Sequence, residues 1–313
     1  VRGIGGYHLL CDARAETAVA ELRRRKGRPH KPLAVMYPRR GEDGLDLVRE
    51  DAVLDATLAA ALRDPARSIV LVPLRADATL AASIAPGLNE LGAFLPYSPL
   101  HELLLGDFGG PLVATSGNVS GEPVITDPSQ AEQRLGGIAD AFLHHDRPIE
   151  RPADDSVVRR VAGRVRPLRL GRGIAPLEIE LPCALPRPLV AVGAHLKNCI
   201  ALGWGRRAVV SPHIGTLDSP RSIAVFAQVI GDLQDLYGVR AQGLVCDAHP
   251  RYAGSRWART AGLPVQTVWH HHAHAAALAG EHAAGATDPL LVFCWDGVGL
   301  GVDGTLWGGE VFL

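Results

Sequence analysis

Apolar positions along the chain follow two periods. Short apolar runs read as buried strands, and segments whose apolar residues recur every three or four positions read as helices. Through residues 1–175 the two alternate. A turn at Gly3, Gly5 and Gly6 leads into a short buried segment over 7–12. Ala18, Val19 and Leu22 predict a helix over 13–28 with basic residues at its end, closed by Pro29 and Pro32. Strands are predicted over 33–37 and 68–74, the second rich in β-branched residues. Amphipathic helices are predicted over 51–63 and 100–105. A strand from 111 runs into the polar loop Thr115-Ser116-Gly117-Asn118-Val119-Ser120-Gly121-Glu122-Pro123. An edge strand is expected near 154–159. This alternation gives an α/β class.

Residues 174–188 carry four prolines and little periodicity, which predicts a linker over 176–188 between domains 1–175 and 189–313. Beyond it, 189–202 and 207–215 read as strands joined by polar turns. A long helix is predicted over 223–237, a strand over 243–247, a helix over 255–261, and a strand over 265–269 that runs into His270-His271-His272-Ala273-His274. Hairpins first, then alternating strands and helices, suit half of an actin-like ATPase domain, whose hairpin turns cradle phosphates.

Charge and composition narrow the function. The net charge is −1, with 32 basic and 33 acidic residues, which leaves no footprint for bulk nucleic-acid binding. The five cysteines are widely spaced with no C-x-x-C pair, so a zinc ribbon within this stretch is excluded and free thiols are expected. No apolar run is long enough to cross a bilayer, and a cytoplasmic protein is expected. The chain opens on Val1 in a glycine-rich turn and stops at Leu313 in a strand-like run, which predicts a piece of a longer protein.

Four stretches carry chemistry. Lys26, Arg28 and Lys31 form a basic cluster that fits either a solvated helix end or an anion site; Gly27 and the two prolines favour the anion site. Ser116, Asn118 and Ser120 line up donors suited to a phosphate or a small carbonyl, or to a hydroxyl-rich turn capping a helix near Ser129. His144 and His145 beside Asp146 lack a third ligand at defined spacing and read as a turn. His270 and His274 would share a helix face at i and i+4, close enough for one metal ion, with His271 and His272 pointing elsewhere. No Glu follows His270, so zinc-protease chemistry is disfavoured. The run from Asp296 through Gly297, Gly299 and Gly301 reads as a phosphate-facing turn between two strands; it is neither a Walker loop nor a dinucleotide fingerprint.

These residues carry a resemblance. Lys26, Arg28, Lys31-Pro32, the loop from Thr115 to Pro123 and Asp155-Ser156-Val157-Val158 together resemble a YrdC-type domain, an α/β fold that makes acyl-adenylates. Cys246-Asp247-Ala248-His249-Pro250, the histidine cluster and the Asp296 loop resemble the Kae-type branch of the actin-like (ASKHA) ATPases. The two in this order are similar to the HypF family of carbamoyltransferases in nickel–iron hydrogenase maturation. The resemblance implies that carbamoyl phosphate is the donor, that ATP with Mg2+ gives carbamoyl-AMP, and that the carbamoyl group passes to the C-terminal cysteine of a HypE-like acceptor. It assigns Lys26 and Arg28 to catalysis, and Lys31, Thr115, Ser116, Asn118, Ser156 and Arg159 to the adenylate. It assigns Lys197, Asn198, Asp296, Gly297, Gly299 and Gly301 to phosphate in the transfer domain. Iron or zinc would sit at His270 and His274, with the remaining ligands beyond Leu313 and the family's zinc fingers outside this chain. Arg2 stands where the family's opening glycine pattern has Lys. An O-carbamoyltransferase of secondary metabolism, with the modules in opposite order, a tRNA-threonylcarbamoylation enzyme, which a distributed basic surface would favour, and a non-catalytic metal or nucleotide scaffold are the alternatives.

Overall fold

The computed structural model describes residues 1–118, 121–282 and 289–313, which divide into two compact units, Val1–Ala175 and Pro176–Leu313. In the first unit the elements are β1 (His8–Asp12), α1 (Glu16–Lys26), β2 (Ala34–Met36), α2 (Asp46–Asp51), α3 (Ala56–Arg63), β3 (Ile69–Pro73), β4 (Glu90–Phe94), α4 (Pro99–Phe108), β5 (Leu112–Ser116), α5 (Pro128–Leu135), β6 (Val157–Val161) and β7 (Arg164–Arg169). Among the described residues the strands form one mixed sheet in the order β1-β5-β2-β4-β3-β6-β7. The strand period decides its two faces. Val35, Val70, Ala93 and Val113 point to one side with Val19 of α1 and Leu58 and Leu62 of α3. Their neighbours Met36, Phe94, Leu112 and Ala114 point to the other, with Leu105 of α4.

Two local features differ from the sequence pattern. The helix expected over 51–63 is two helices. Asp51 ends α2 because its carboxylate is bound by Tyr37 Oη at 2.9 Å and by the Thr79 N–H at 2.7 Å, and Val53 N donates to Pro73 O. Asp55 then caps α3 by accepting from Leu58 N. Strand β4 escapes the pattern because it is short and contains Gly92. A side chain at Gly92 would meet Ile69 of the neighbouring strand at 3.0 Å.

α1 ends on Gly27, whose left-handed φ of 61° lets its N–H return to Arg23 and Arg24 carbonyls. The turn places Lys26 on the helix and Arg28 just past it.

The second unit contains β8 (Leu177–Glu180), β9 (Leu189–Ala191), β10 (Ala201–Trp204), β11 (Arg207–Val210), α6 (Pro220–Tyr237), β12 (Gly243–Asp247), α7 (Ala253–Thr260), β13 (Val265–Val268), α8 (His270–His282), β14 (Val292–Cys294), β15 (Gly299–Leu300), β16 (Leu306–Trp307) and β17 (Glu310–Phe312). Its main sheet runs β13-β12-β9-β10-β11-β8. β12 is parallel to β9 and β13, and the remaining pairs are antiparallel. Phe226, Val229, Ile230 and Leu233 of α6 cover Val190, Leu202, Val209 and Leu244. Part of the proline-rich segment expected as a linker belongs to this sheet: Leu177–Glu180 pairs with β11 as its edge strand. Prolines at 176 and 182 flank the strand without interrupting its ladder. β15 and β16 form the hairpin that follows Asp296.

Candidate functional site

In the first unit α1 and β5 converge on one polar site. Lys26 is 5% exposed, and its Nζ donates to Ser116 O at 2.5 Å, Asn118 O at 2.9 Å and Asn118 Oδ1 at 2.9 Å. An ammonium has three donors, and all are met by this loop. Burial pushes Lys26 down to about 7, with the Arg28 charge acting in the same direction. Ser116 Oγ donates to Asn118 Oδ1 at 2.8 Å, and Asn118 Nδ2 donates to Glu122 O. Lys26 thus fixes the loop's shape and brings positive charge beneath it.

Arg28 Nη2 donates to Pro32 O at 2.6 Å, and its Nη1 reaches Thr115 Oγ1 at 3.4 Å. Burial and the charges of Arg23 and Arg169 lower its pKa to about 10. Partial burial and the Arg28 charge also lower Lys31. Arg28 depresses both Lys26 and Lys31 and is itself depressed by Arg23 and Arg169, which marks a crowded cationic site that an anion would relieve.

The other first-unit residues separate. Thr115 is buried beside Arg28, and Ser116 and Asn118 lie against Lys26. Ser156 is fully buried; its hydroxyl accepts from Gly171 N at 2.9 Å and donates to Arg172 O at 3.0 Å, so it ties backbone together. Arg159 is half-exposed on β6 and ion-paired with Glu90 at 3.0 Å. Among the described residues neither joins the Lys26 loop through a hydrogen bond. Ser120, named with the donors of the loop, and Val119 lie outside the described residues. His144 bridges Tyr7 Oη at 2.7 Å and Glu132 at 3.0 Å, which accounts for it without metal.

In the second unit His270 and His274 face the same way, ring centroids 5.0 Å apart, as i and i+4 residues of α8 must. Asp296 closes the group: its Oδ2 is 2.7 Å from His270 Nε2 and its Oδ1 is 3.7 Å from His274 Nε2. The three offer donor atoms that all lie within 4.8 Å of one another. Zinc–ligand bonds of about 2.0–2.2 Å place tetrahedral donors roughly 3.3–3.6 Å apart, so these residues fit one divalent ion with an open position. His270 Nδ1 is held at 2.7 Å by Asp247, whose Oδ1 also accepts from His249 N at 2.7 Å. A carboxylate behind the imidazole fixes its orientation and raises its pKa. Buried His271 and exposed His272 turn instead to Glu310, at 3.3 Å and 3.8 Å.

The glycine positions of the following hairpin have local reasons. Gly297 takes φ 84°, and a side chain at Gly301 would occupy the Trp307 indole. Lys197 and Asn198 lie in the turn between β9 and β10. Lys197 is exposed with φ 49°, and buried Asn198 donates to Val192 O and Ala194 O at 2.9 and 2.6 Å.

Comparison with known proteins gives the family of each unit. Residues 1–171 match the family model of Sua5, YciO and YrdC proteins, described as telomere recombination. Residues 184–281 match the HypF Kae1-like domain. Across 99% of the chain, 44% of residues are identical to the carbamoyltransferase HypF of Synechocystis. The chain belongs to the HypF family. Identity to HypF of Rhodobacter capsulatus is 45% over the whole chain. The crystal structure of full-length HypF in the phosphate- and nucleotide-bound form superposes over 99% of the chain with a TM-score of 0.91 at 37% identity. That of T. kodakarensis HypF gives 0.90 at 34%. The chain spans 40–42% of the length of the two curated HypF relatives and 40% of each solved HypF chain.

Three features of this HypF-family chain lay outside the sequence reading. The Asp296 carboxylate faces both histidines, and its spacing from them in sequence gives no hint of this. Asp247 stands at the end of β12, just before a polar turn, the place where strand-end site residues sit. In the first unit, His8, Tyr97, His101, Asp155 and Arg172 form a buried polar cluster. Asp155 bonds to His8 at 3.1 Å and to Arg172 at 2.9 Å, and Arg172 stacks on the Tyr97 ring at 3.4 Å. Burial raises the Asp155 pKa, but the His8 hydrogen bond and the Arg172 charge outweigh it and hold the group at about 2.

Proposed function

We propose that the chain is the adenylate-forming and metal-bearing part of a HypF-type carbamoyltransferase, and that its first unit joins a carbamoyl group to AMP. The observation that carries the reading is the cation group in which Lys26 binds the Ser116–Asn118 loop and Arg28 reaches Thr115, with Lys31 following in sequence, in a chain of this family. Carbamoyl phosphate supplies carbamate and inorganic phosphate by hydrolysis. A carbamate oxygen attacks the α-phosphorus of Mg2+-bound ATP, the bond from that phosphorus to the bridging oxygen breaks, and pyrophosphate leaves. Carbamate and ATP repel one another, and fixed cations lower the cost of bringing them together. Arg28 and Lys31 hold phosphate oxygens, Lys26 adds charge from beneath, and Asn118 and Ser116 shape the nucleotide pocket.

In the second unit His270, His274 and Asp296 would hold iron or zinc, oriented by Asp247. Such an ion supplies Lewis-acid polarisation of a bound oxygen. The β9–β10 turn with Lys197 and Asn198, and the Asp296–Gly301 loop, face the nucleotide phosphates. The product leaves on the C-terminal cysteine thiol of a HypE-like acceptor: the sulfur attacks the carbamoyl carbon, and AMP departs. A cytoplasmic setting suits these substrates and the free cysteines; among the described residues no helix is long and apolar enough to cross a membrane.

The test incubates the intact protein with ATP, carbamoyl phosphate and a HypE-like acceptor. The expected result is pyrophosphate release that depends on carbamoyl phosphate, with a carbamoyl increment on the acceptor's last cysteine by mass spectrometry. Unmodified acceptor together with no carbamoyl-phosphate-dependent pyrophosphate refutes the reading.

A further inference from the structure

The segment that carries Arg28 and Lys31 has little backbone pairing to hold it. Arg28 N donates to Arg23 O at 3.0 Å, and Leu33 N donates to Ile84 O at 3.0 Å. Between them, residues 29–32 make no backbone–backbone hydrogen bond among the described residues. Pro29 and Pro32 have no N–H to donate. A side chain holds the segment instead. Arg23, in the last turn of α1, is 7% exposed. Its Nη1 donates to the carbonyls of Arg28, Pro29 and Lys31 at 2.8, 3.2 and 3.1 Å. Its Nη2 donates to Ile84 O at 3.0 Å and its Nε to Ser83 O. Arg28 adds two bonds of its own, from Nε to Lys31 O at 3.3 Å and from Nη2 to Pro32 O at 2.6 Å.

All five acceptors of Arg23 are carbonyl oxygens and none is a carboxylate. A buried cation without an acid is an expensive way to tie a loop, and the Arg23 charge also lowers the pKa of nearby Arg28. Stability alone would be better served by a neutral side chain or by backbone pairing. What a guanidinium adds is a rigid planar fork that reaches several carbonyls at once. It turns the negative ends of three peptide dipoles onto itself and fixes the backbone at Arg28 and at Lys31. The far side of the clamp is anchored too. Glu16, at the start of α1, accepts from Ser83 N at 3.2 Å and from Ser83 Oγ. Helix α1 thus grips the Ala82–Ile84 turn near both of its ends, and one turn beyond Arg23 it places Lys26 on the Ser116–Asn118 loop.

Resting on the adenylate-forming reading above, we propose that Arg23 is a positioning residue for the nucleotide phosphates: it shapes residues 28–32 so that Arg28 and Lys31 act on one anion together with Lys26. Arg23 acts through that loop and not on the substrate. Lysine in its place keeps the charge. As a single flexible ammonium with three donors, it cannot span the carbonyls of both the 28–31 and the 83–84 segments.

The experiment is a double-mutant cycle on the intact protein, read as kcat/KM for ATP in carbamoyl-phosphate-dependent exchange of labelled pyrophosphate. The variants are Arg23→Lys, Arg28→Ala and the two combined, assayed at a temperature where circular dichroism shows each to be folded. Arg23→Lys lowers kcat/KM about 10- to 100-fold. Made in Arg28→Ala, the same substitution costs at least about threefold less, because one of the cations it positions is already gone. Glu16→Ala removes an exposed anchor of the clamp and keeps the fold should Arg23→Lys fail to. It lowers kcat/KM by about 2- to 5-fold, and by less in Arg28→Ala. Equal fold-losses with and without Arg28 would place the effect of Arg23 elsewhere and overturn the proposal. Unchanged kcat/KM with a lowered melting temperature would make the clamp structural and overturn it as well. A wild-type protein with no carbamoyl-phosphate-dependent exchange would instead sink the adenylate reading on which the proposal rests.

Discussion

At the scale of single residues the chemistry lies in how charges are compensated. Lys26 is an ammonium whose donors are all met inside the protein, yet burial pushes its pKa to about 7. Its charge is full below that value and is lost as pH rises through it, whereas Arg28 keeps its charge until about 10. ATP affinity should therefore weaken between pH 6 and 8.5 in wild type. In Lys26→Met it should be weak and nearly flat, so that the two titration curves converge at high pH; isothermal titration across that range checks this. Asp155→Ala should act on stability. It leaves Arg172 and His8 without their buried acid, and removing one partner of such a pair costs about 3–5 kcal/mol, read by urea unfolding. The Lys26 and Arg28 cluster was legible because basic residues around a glycine and two prolines are locally unusual. The Asp155 cluster was not, because its members come from four separate stretches of chain and only folding gathers them. Ser156 and Arg159 were read by motif alone. In the fold one hydroxyl stitches backbone and one guanidinium pairs with Glu90.

At the scale of elements, period and punctuation carried most of the pattern. α1 and β12 lie within the segments expected for them, while α6 starts three residues early at Pro220 and β5 runs on through Thr115 and Ser116, which read as loop. Failures came where tertiary bonds overrode local propensity. Tyr37 and Thr79 bind Asp51 and split one expected helix into two. β11 recruits 177–180 from a segment whose prolines suggest a linker, and two prolines outside the paired residues do not prevent a strand. The turn joining β7 to the Asp154 loop gives a test at this scale. A methyl group at Gly171 would overlap the Asp154 carbonyl and the Ser156 amide, both backbone. Gly171→Ala should cost about 2–4 kcal/mol, more than a helix glycine does, because the clash cannot be relieved by a side-chain rotamer. Chemical denaturation checks it, and a change under about 0.5 kcal/mol would show that the loop is soft.

At the scale of the whole molecule each unit has its own apolar core and its own charged site. The two-part division was visible in sequence because a proline-rich stretch separates two differently ordered sets of strands and helices. The membership of the proposed metal group was less visible: His270 and His274 sit one helical turn apart, and Asp296 joins them from the stretch between β14 and β15. The intact protein should bind about one equivalent of zinc or iron per chain. His270→Ala and Asp296→Ala should each lower metal content and remove metal-induced thermal stabilisation, while leaving ATP binding by the first unit intact. Elemental analysis with calorimetry measures both. Asp247→Asn should weaken metal affinity about 10- to 100-fold without abolishing it, as expected of a group that orients a ligand.

The account's central claim is that the Lys26 loop activates a carbamoyl group on AMP. The most direct measurement is isotope exchange between ATP and labelled pyrophosphate catalysed by the intact protein, with and without carbamoyl phosphate. The account predicts exchange that requires carbamoyl phosphate and falls at least about 100-fold in Lys26→Met while the protein remains folded. Exchange that proceeds equally without carbamoyl phosphate, or that is unchanged in Lys26→Met, would contradict it.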